Sequence, residues 1–84
     1  MKVEELIGAR VSVRVGPATE QVGCISSVPA PVEDDDIETA IHLSMFRIDL
    51  PSGDVIVTTG SNLSDIEHAG YKKLSSSRKR KLLT

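Results

Sequence analysis

The sequence predicts an all-β domain of about five short strands, and three observations carry that expectation. β-branched residues cluster between positions 11 and 57 in runs that alternate apolar with polar. Branching at Cβ restricts χ1 and suits a pleated surface better than a helix. Glycine and proline punctuate these runs, most clearly in Leu50-Pro51-Ser52-Gly53-Asp54-Val55. Aromatic residues are limited to Phe46 and Tyr71, with no Trp, so the core must be aliphatic. At 84 residues the chain is expected to be one domain. A chain of this size buries roughly 60% of its unfolded surface, which leaves little room for a cleft.

In VEELIG one helical turn is possible, but six residues do not sustain a helix without tertiary support, so this is a lead-in. The first strand is expected from about Ala9 to Val15, with Val11, Val13 and Val15 on one face and Arg10, Ser12 and Arg14 on the other. Gly16-Pro17 ends it, because proline lacks the donor a ladder needs. A second strand is expected from about Gln21 to Val28. PAPVEDDDIE, residues 29 to 38, combines two prolines with five acids and reads as a loop.

Alternation returns with Ile41, Leu43 and Met45 and then shifts phase to Phe46, Ile48 and Leu50. A one-residue slip sends every side chain to the opposite face, so a continuous strand with a β-bulge near Met45-Phe46 is the expectation. The Pro51-Ser52-Gly53 turn then makes a hairpin into Val55 to Thr59. Beyond it, GSNL predicts a single 3₁₀ turn and Asp65 to His68 a short fifth strand. Ser64 with Glu67 also offers a capping box for a helix ended by Gly70, but the stretch holds barely more than one turn.

Charge divides the chain. All twelve acids lie in residues 1 to 71 beside Lys2, Arg10, Arg14 and Arg47, a net of −8, whereas residues 72 to 84 carry six bases and no acid, +6. An acidic body is expected to carry a basic tail, mobile or marginally helical. The single Cys24 leaves no intramolecular disulfide and fits a reducing cytoplasm. MKVEELIG has two acids where a signal peptide would be apolar, and no run approaches the roughly 18 apolar residues of a membrane span. A soluble protein is expected.

Residues 8 to 28 resemble the KOW-type motif of certain ribosomal proteins and transcription elongation factors. The pattern is Val11-x-Val13-x-x-Gly16 and, seven residues on, Gly23-x-Ile25-x-x-Val28, with Glu20 where the motif usually has a middle glycine. The resemblance implies a small five-stranded SH3-like barrel with a 3₁₀ turn before the last strand, and residues 50 to 66, a Ser-Gly hairpin followed by SNL, look like the second half of one. It places Gly16 and Gly23 at the two ends of a long first loop. The family binds RNA or protein, usually through a basic or mixed surface, and here the body is acidic.

No catalytic constellation is visible. Cys24 follows Gly23 in a predicted strand and reads as a small core or edge residue. His42 alternates with Ile41 and Leu43 and is expected to face solvent on a strand, and His68 ends the last element. Glu33, Asp34, Asp35, Asp36 and Glu38 lack the glycine-turned, every-second-residue layout of a calcium loop and are expected to form a solvated acidic loop suited to electrostatic docking. Lys72, Lys73, Arg78, Lys79, Arg80 and Lys81 could neutralise phosphates, giving weak, salt-sensitive, sequence-blind contact with nucleic acid. One Phe and one Tyr cannot line a polyproline groove, a methyl-lysine cage or a base-stacking platform.

The expectation is a non-enzymatic module without cofactor or metal that docks on a protein partner through its barrel surface and acidic loop. An acidic body also fits a nucleic-acid mimic that occupies a basic groove on a host enzyme, as small viral or mobile-element proteins can do. The motif itself would make it a KOW-like RNA-binding domain.

Overall fold

A computed structural model describes residues 1–68 and Tyr71. Five antiparallel strands form one sheet: β1 (Arg10–Gly16), β2 (Thr19–Ala30), β3 (Met45–Asp49), β4 (Val55–Thr59) and β5 (Leu63–Glu67). Their spatial order is β4-β3-β2-β1-β5, so four strands meander and the last returns to lie beside the first. A 3₁₀ turn, Gly60–Asn62, precedes β5, as the sequence predicts. A second 3₁₀ turn, Val3–Leu6, leads into the sheet. The helix α1 (Ile37–Leu43) fills the connection between β2 and β3. Among the described residues no helix is long and apolar enough to cross a membrane.

Alternation explains the core. Val11 and Val13 of β1, Ile25 of β2, and Phe46 and Ile48 of β3 are buried in one cluster, where Leu50 joins them. Val3 and Leu6 of the leading turn, and Ala40 and Ile41 of α1, close the ends of that cluster. Each buried aliphatic side chain contributes about 1.5–3 kcal/mol through water removed from its surface. Val15, expected inside with the other valines, sits at the end of β1 and is exposed.

Several expectations are corrected. The sheet is not closed: β4 and β5 are both edges, and among the described residues no pairing joins them. Register shifts in β2, at Ile25/Ser27 and Ser27/Ala30, and in the β1–β5 pair bend it instead. The predicted long first loop is a two-residue turn, Pro17-Ala18, between Gly16 and Thr19. Gly23 lies within β2, where a Cβ would stand 2.6 Å from Ile48 Cγ2 and 2.9 Å from the Asp49 carbonyl oxygen. Close passage of β3 therefore requires glycine there, although no loop does.

The continuous strand expected from Ile41 is the largest error. Ile37, Ala40 and Ile41 share one helical face, Ala40 and Ile41 being buried. Asp36 caps the helix by accepting from the Thr39 N–H at 3.4 Å and the Thr39 hydroxyl at 2.9 Å. The phase slip at Met45-Phe46 marks the change from helix to strand across Ser44, and β3 pairs with β4 without any bulge.

Candidate functional site

The acidic segment is shorter than predicted. Pro29-Ala30 completes β2 and Ile37-Glu38 opens α1, so only residues 31–36 form the connecting loop. Ser44 fixes its path. Fully buried, the Ser44 hydroxyl donates to the Ala40 carbonyl at 2.6 Å and accepts from the Val32 N–H at 2.8 Å. At the far end, the Asp34 carboxylate accepts from the Asp36 N–H at 2.9 Å, a local turn that aspartate makes readily. These bonds set the backbone path of the loop that carries Glu33, Asp34 and Asp35.

That arrangement includes a neighbour the sequence did not reveal. Glu4, from the leading 3₁₀ turn, lines one open groove together with Glu33, Asp34 and Asp35. Val3, Val32 and Ala40 also line this groove, as does Lys2, whose backbone N–H donates to the Glu5 carboxylate at 2.6 Å. Four acidic residues thus line a partly apolar groove that Met1 and Lys2 also border. Asp36 and Glu38 are set apart: Asp36 serves as the helix cap, and Glu38 lies on the first turn of α1. The Tyr71 hydroxyl is raised above its ordinary pKa first by burial and then by the Glu38 charge. Tyr71 itself packs against the core.

Against known proteins, the chain matches no family model, no curated protein and no solved structure.

Of the remaining acids, Glu20, Asp49, Asp65 and Glu67 lie on strands, Glu5 in the leading turn and Asp54 in the β3–β4 turn. Asp49 pairs with Arg47 on β3 at 3.8 Å, both well exposed, and Glu20 accepts from the Ser64 hydroxyl at 3.4 Å. A second groove runs between α1 and the β1–β5 edge, lined among others by Arg10, His42, Asp65, Glu67 and Tyr71. Cys24, predicted as a core or edge residue, is exposed on the central strand β2, where its thiol donates to the Gly8 carbonyl at 3.4 Å. His42 is exposed, as expected, though on a helix. His68 has a buried Nδ1 without a hydrogen-bond partner among the described residues.

Among the described residues no three His, Cys, Asp or Glu side chains are placed to hold a metal ion. Lys72, Lys73, Arg78, Lys79, Arg80 and Lys81 lie outside the described residues.

Proposed function

We propose that the chain is a non-enzymatic binding module that docks on a protein partner through the groove between its acidic loop and its leading 3₁₀ turn. One observation carries this reading: Glu4 stands with Glu33, Asp34 and Asp35 around a partly apolar surface, on a loop fixed by Ser44. Such a groove suits a basic partner segment, because lysine and arginine lay aliphatic stems on apolar surface while their charged ends meet carboxylates. Rim charges act mainly on encounter rate and partner choice, so the contact is salt-dependent.

The nucleic-acid mimic gains less support, since Glu20, Asp49, Asp65 and Glu67 are dispersed over the strands and two of them already engage Arg47 and Ser64. KOW-type kinship remains a reading of residues 8 to 28 and 50 to 66; the meander with its last strand beside the first is compatible with it. The basic tail adds loose contact with a polyanion in this scheme.

The test is a pull-down from the source organism with the full chain, washed across a salt series, beside a Glu33→Gln/Asp34→Asn/Asp35→Asn variant. A partner retained by the parent and lost by the variant supports the groove. Equal retention by both removes it. A chain with Arg78, Lys79, Arg80 and Lys81 changed to Gln assigns any heparin affinity to the tail; unchanged heparin affinity would exclude that role.

A further inference from the structure

The two edges of the sheet are built differently. β5 is interrupted: its pairing with β1 carries a register shift between Ser64 and Glu67, Asp65 sits at φ +49°, and Asp65 and Glu67 bring charge to the edge. Bulges and charges are the usual means by which an edge strand is kept from pairing with another chain. β4 has none of these. Its sequence Val55-Ile56-Val57-Thr58-Thr59 is uncharged, free of proline and glycine, and in unbroken register with β3.

The hydrogen-bond phase of β4 follows from its two ends. Gly60 N–H donates to the Ser44 carbonyl and Leu50 N–H to the Asp54 carbonyl, so 44 with 60 and 50 with 54 are hydrogen-bonded pairs. In an antiparallel ladder such pairs alternate along the strand, which makes 46 with 58 and 48 with 56 the pairs between them. Val55, Val57 and Thr59 therefore turn their N–H and C=O groups away from the sheet. The side chains of Val55 and Val57 are 45% and 56% exposed. Among the described residues, backbone and side chain at Val55 and Val57 are thus both open, on a strand of high β propensity.

We propose that β4 pairs antiparallel with β4 of a second copy about a two-fold axis at Val57, joining two five-stranded sheets into one. The occupant follows from the phase and the charges. Centred on Val57, each outward residue meets another outward residue: Val57 opposite Val57, and Val55 opposite Thr59 in both directions. Shifting the axis by one residue either way leaves Thr59 or Val55 opposite a residue outside the strand. In the Val57 register Asp54 falls opposite Gly60, so no like charges meet. The pairing is isologous and closes at two copies. It uses a surface separate from the acidic groove, so either reading can fail without the other.

Sedimentation of the full chain over a range of concentrations tests it, beside Val57→Lys and Val57→Pro. The parent is expected to show a reversible monomer–dimer equilibrium. Val57→Lys sets two ammonium groups across the axis and is expected to raise the dimer dissociation constant roughly tenfold or more, because directly opposed like charges destabilise a sheet. Val57→Pro removes an outward N–H and no bond to β3, so it is expected to give a folded monomer, whereas Ile56→Pro, which removes a β3 bond, should unfold the chain. A parent that stays monomeric to about millimolar concentration, a dimer unaffected by Val57→Lys, or an unfolded Val57→Pro each overturns the proposal.

Discussion

Gly60→Ala is the sharpest test of how α1 is held. An added Cβ at Gly60 would lie 1.7 Å from the Ile41 carbonyl oxygen, 2.5 Å from its carbon and 2.9 Å from Ile41 Cγ2, where contacts under 3.0 Å essentially never occur. The obstacle is backbone, so no rotamer change relieves it. Either α1 lifts off the Gly60–Asn62 turn by more than an ångström or the turn moves, and the second course strains the bond from Gly60 N–H to the Ser44 carbonyl at 3.0 Å. Lifting α1 loosens Ile41, 2% exposed, whose burial alone contributes about 1.5–3 kcal/mol. Overpacking adds about 1–3 kcal/mol, so a loss of about 3 kcal/mol or more is expected. For a domain of 60–100 residues that corresponds to a fall in Tm of roughly 12–24 °C. Thermal and urea unfolding monitored by circular dichroism would measure it. Gly53→Ala serves as the comparison: φ is +93° there and nothing lies within 4 Å, so only the conformational cost of about 1–2 kcal/mol applies. A Gly60→Ala protein that melts within about 4 °C of the parent, or above Gly53→Ala, would refute the close seating of α1 on this turn.

Two further outcomes follow from local backbone and burial. Asp65 occupies the left-handed region at φ +49° within the β5 irregularity, a conformation aspartate tolerates better than most residues but glycine adopts freely. Asp65→Gly is therefore expected to leave stability unchanged or raise it, and Asp65→Val to lower it by about 1–2 kcal/mol in urea unfolding; the reverse order would contradict the assigned geometry. Tyr71, the single tyrosine in a chain without Trp, has its hydroxyl raised by burial and by Glu38. Because the folded pKa exceeds the unfolded one, this group's contribution is intact below the ordinary tyrosine pKa of about 10 and is lost as pH rises through the folded value. Tyrosinate absorbance should titrate later in folded than in unfolded protein, and Tyr71→Phe should reduce the alkaline loss of Tm. Coincident titrations would show that the hydroxyl is not desolvated.

Much of the sheet was legible because it depends on period and punctuation. Val11 and Val13, then Phe46, Ile48 and Leu50, alternate strictly and are buried. Pro51 to Gly53 marks the β3–β4 turn, and GSN makes the 3₁₀ turn before β5. The helix escaped for a physical reason. Ile41, His42 and Leu43 alternate over only three residues, and a seven-residue helix is too short to be stable alone. The signals that would have found it are Asp36 three residues before Thr39 and the spacing of Ile37, Ala40 and Ile41. The five acids of residues 33–38 were visible as one run, but not their separation in the fold: Glu33, Asp34 and Asp35 line the groove, Asp36 caps the helix, and Glu38 lies in the first turn of α1.

The sequence by itself determined an aliphatic, antiparallel, mostly β chain with its turns nearly in place, because alternation, β-branching and proline act locally. Only the tertiary structure decided that Ile37–Leu43 is helical, that the sheet stays open, and that Glu4 joins the acidic loop. Each of these depends on contacts between residues distant in the chain: Gly60 beneath Ile41, β5 against β1 with β4 at the opposite edge, and the N-terminal turn beside Val32. Local propensity carries no information about such meetings, since burial against a remote neighbour, rather than the preference of the residue itself, sets the outcome.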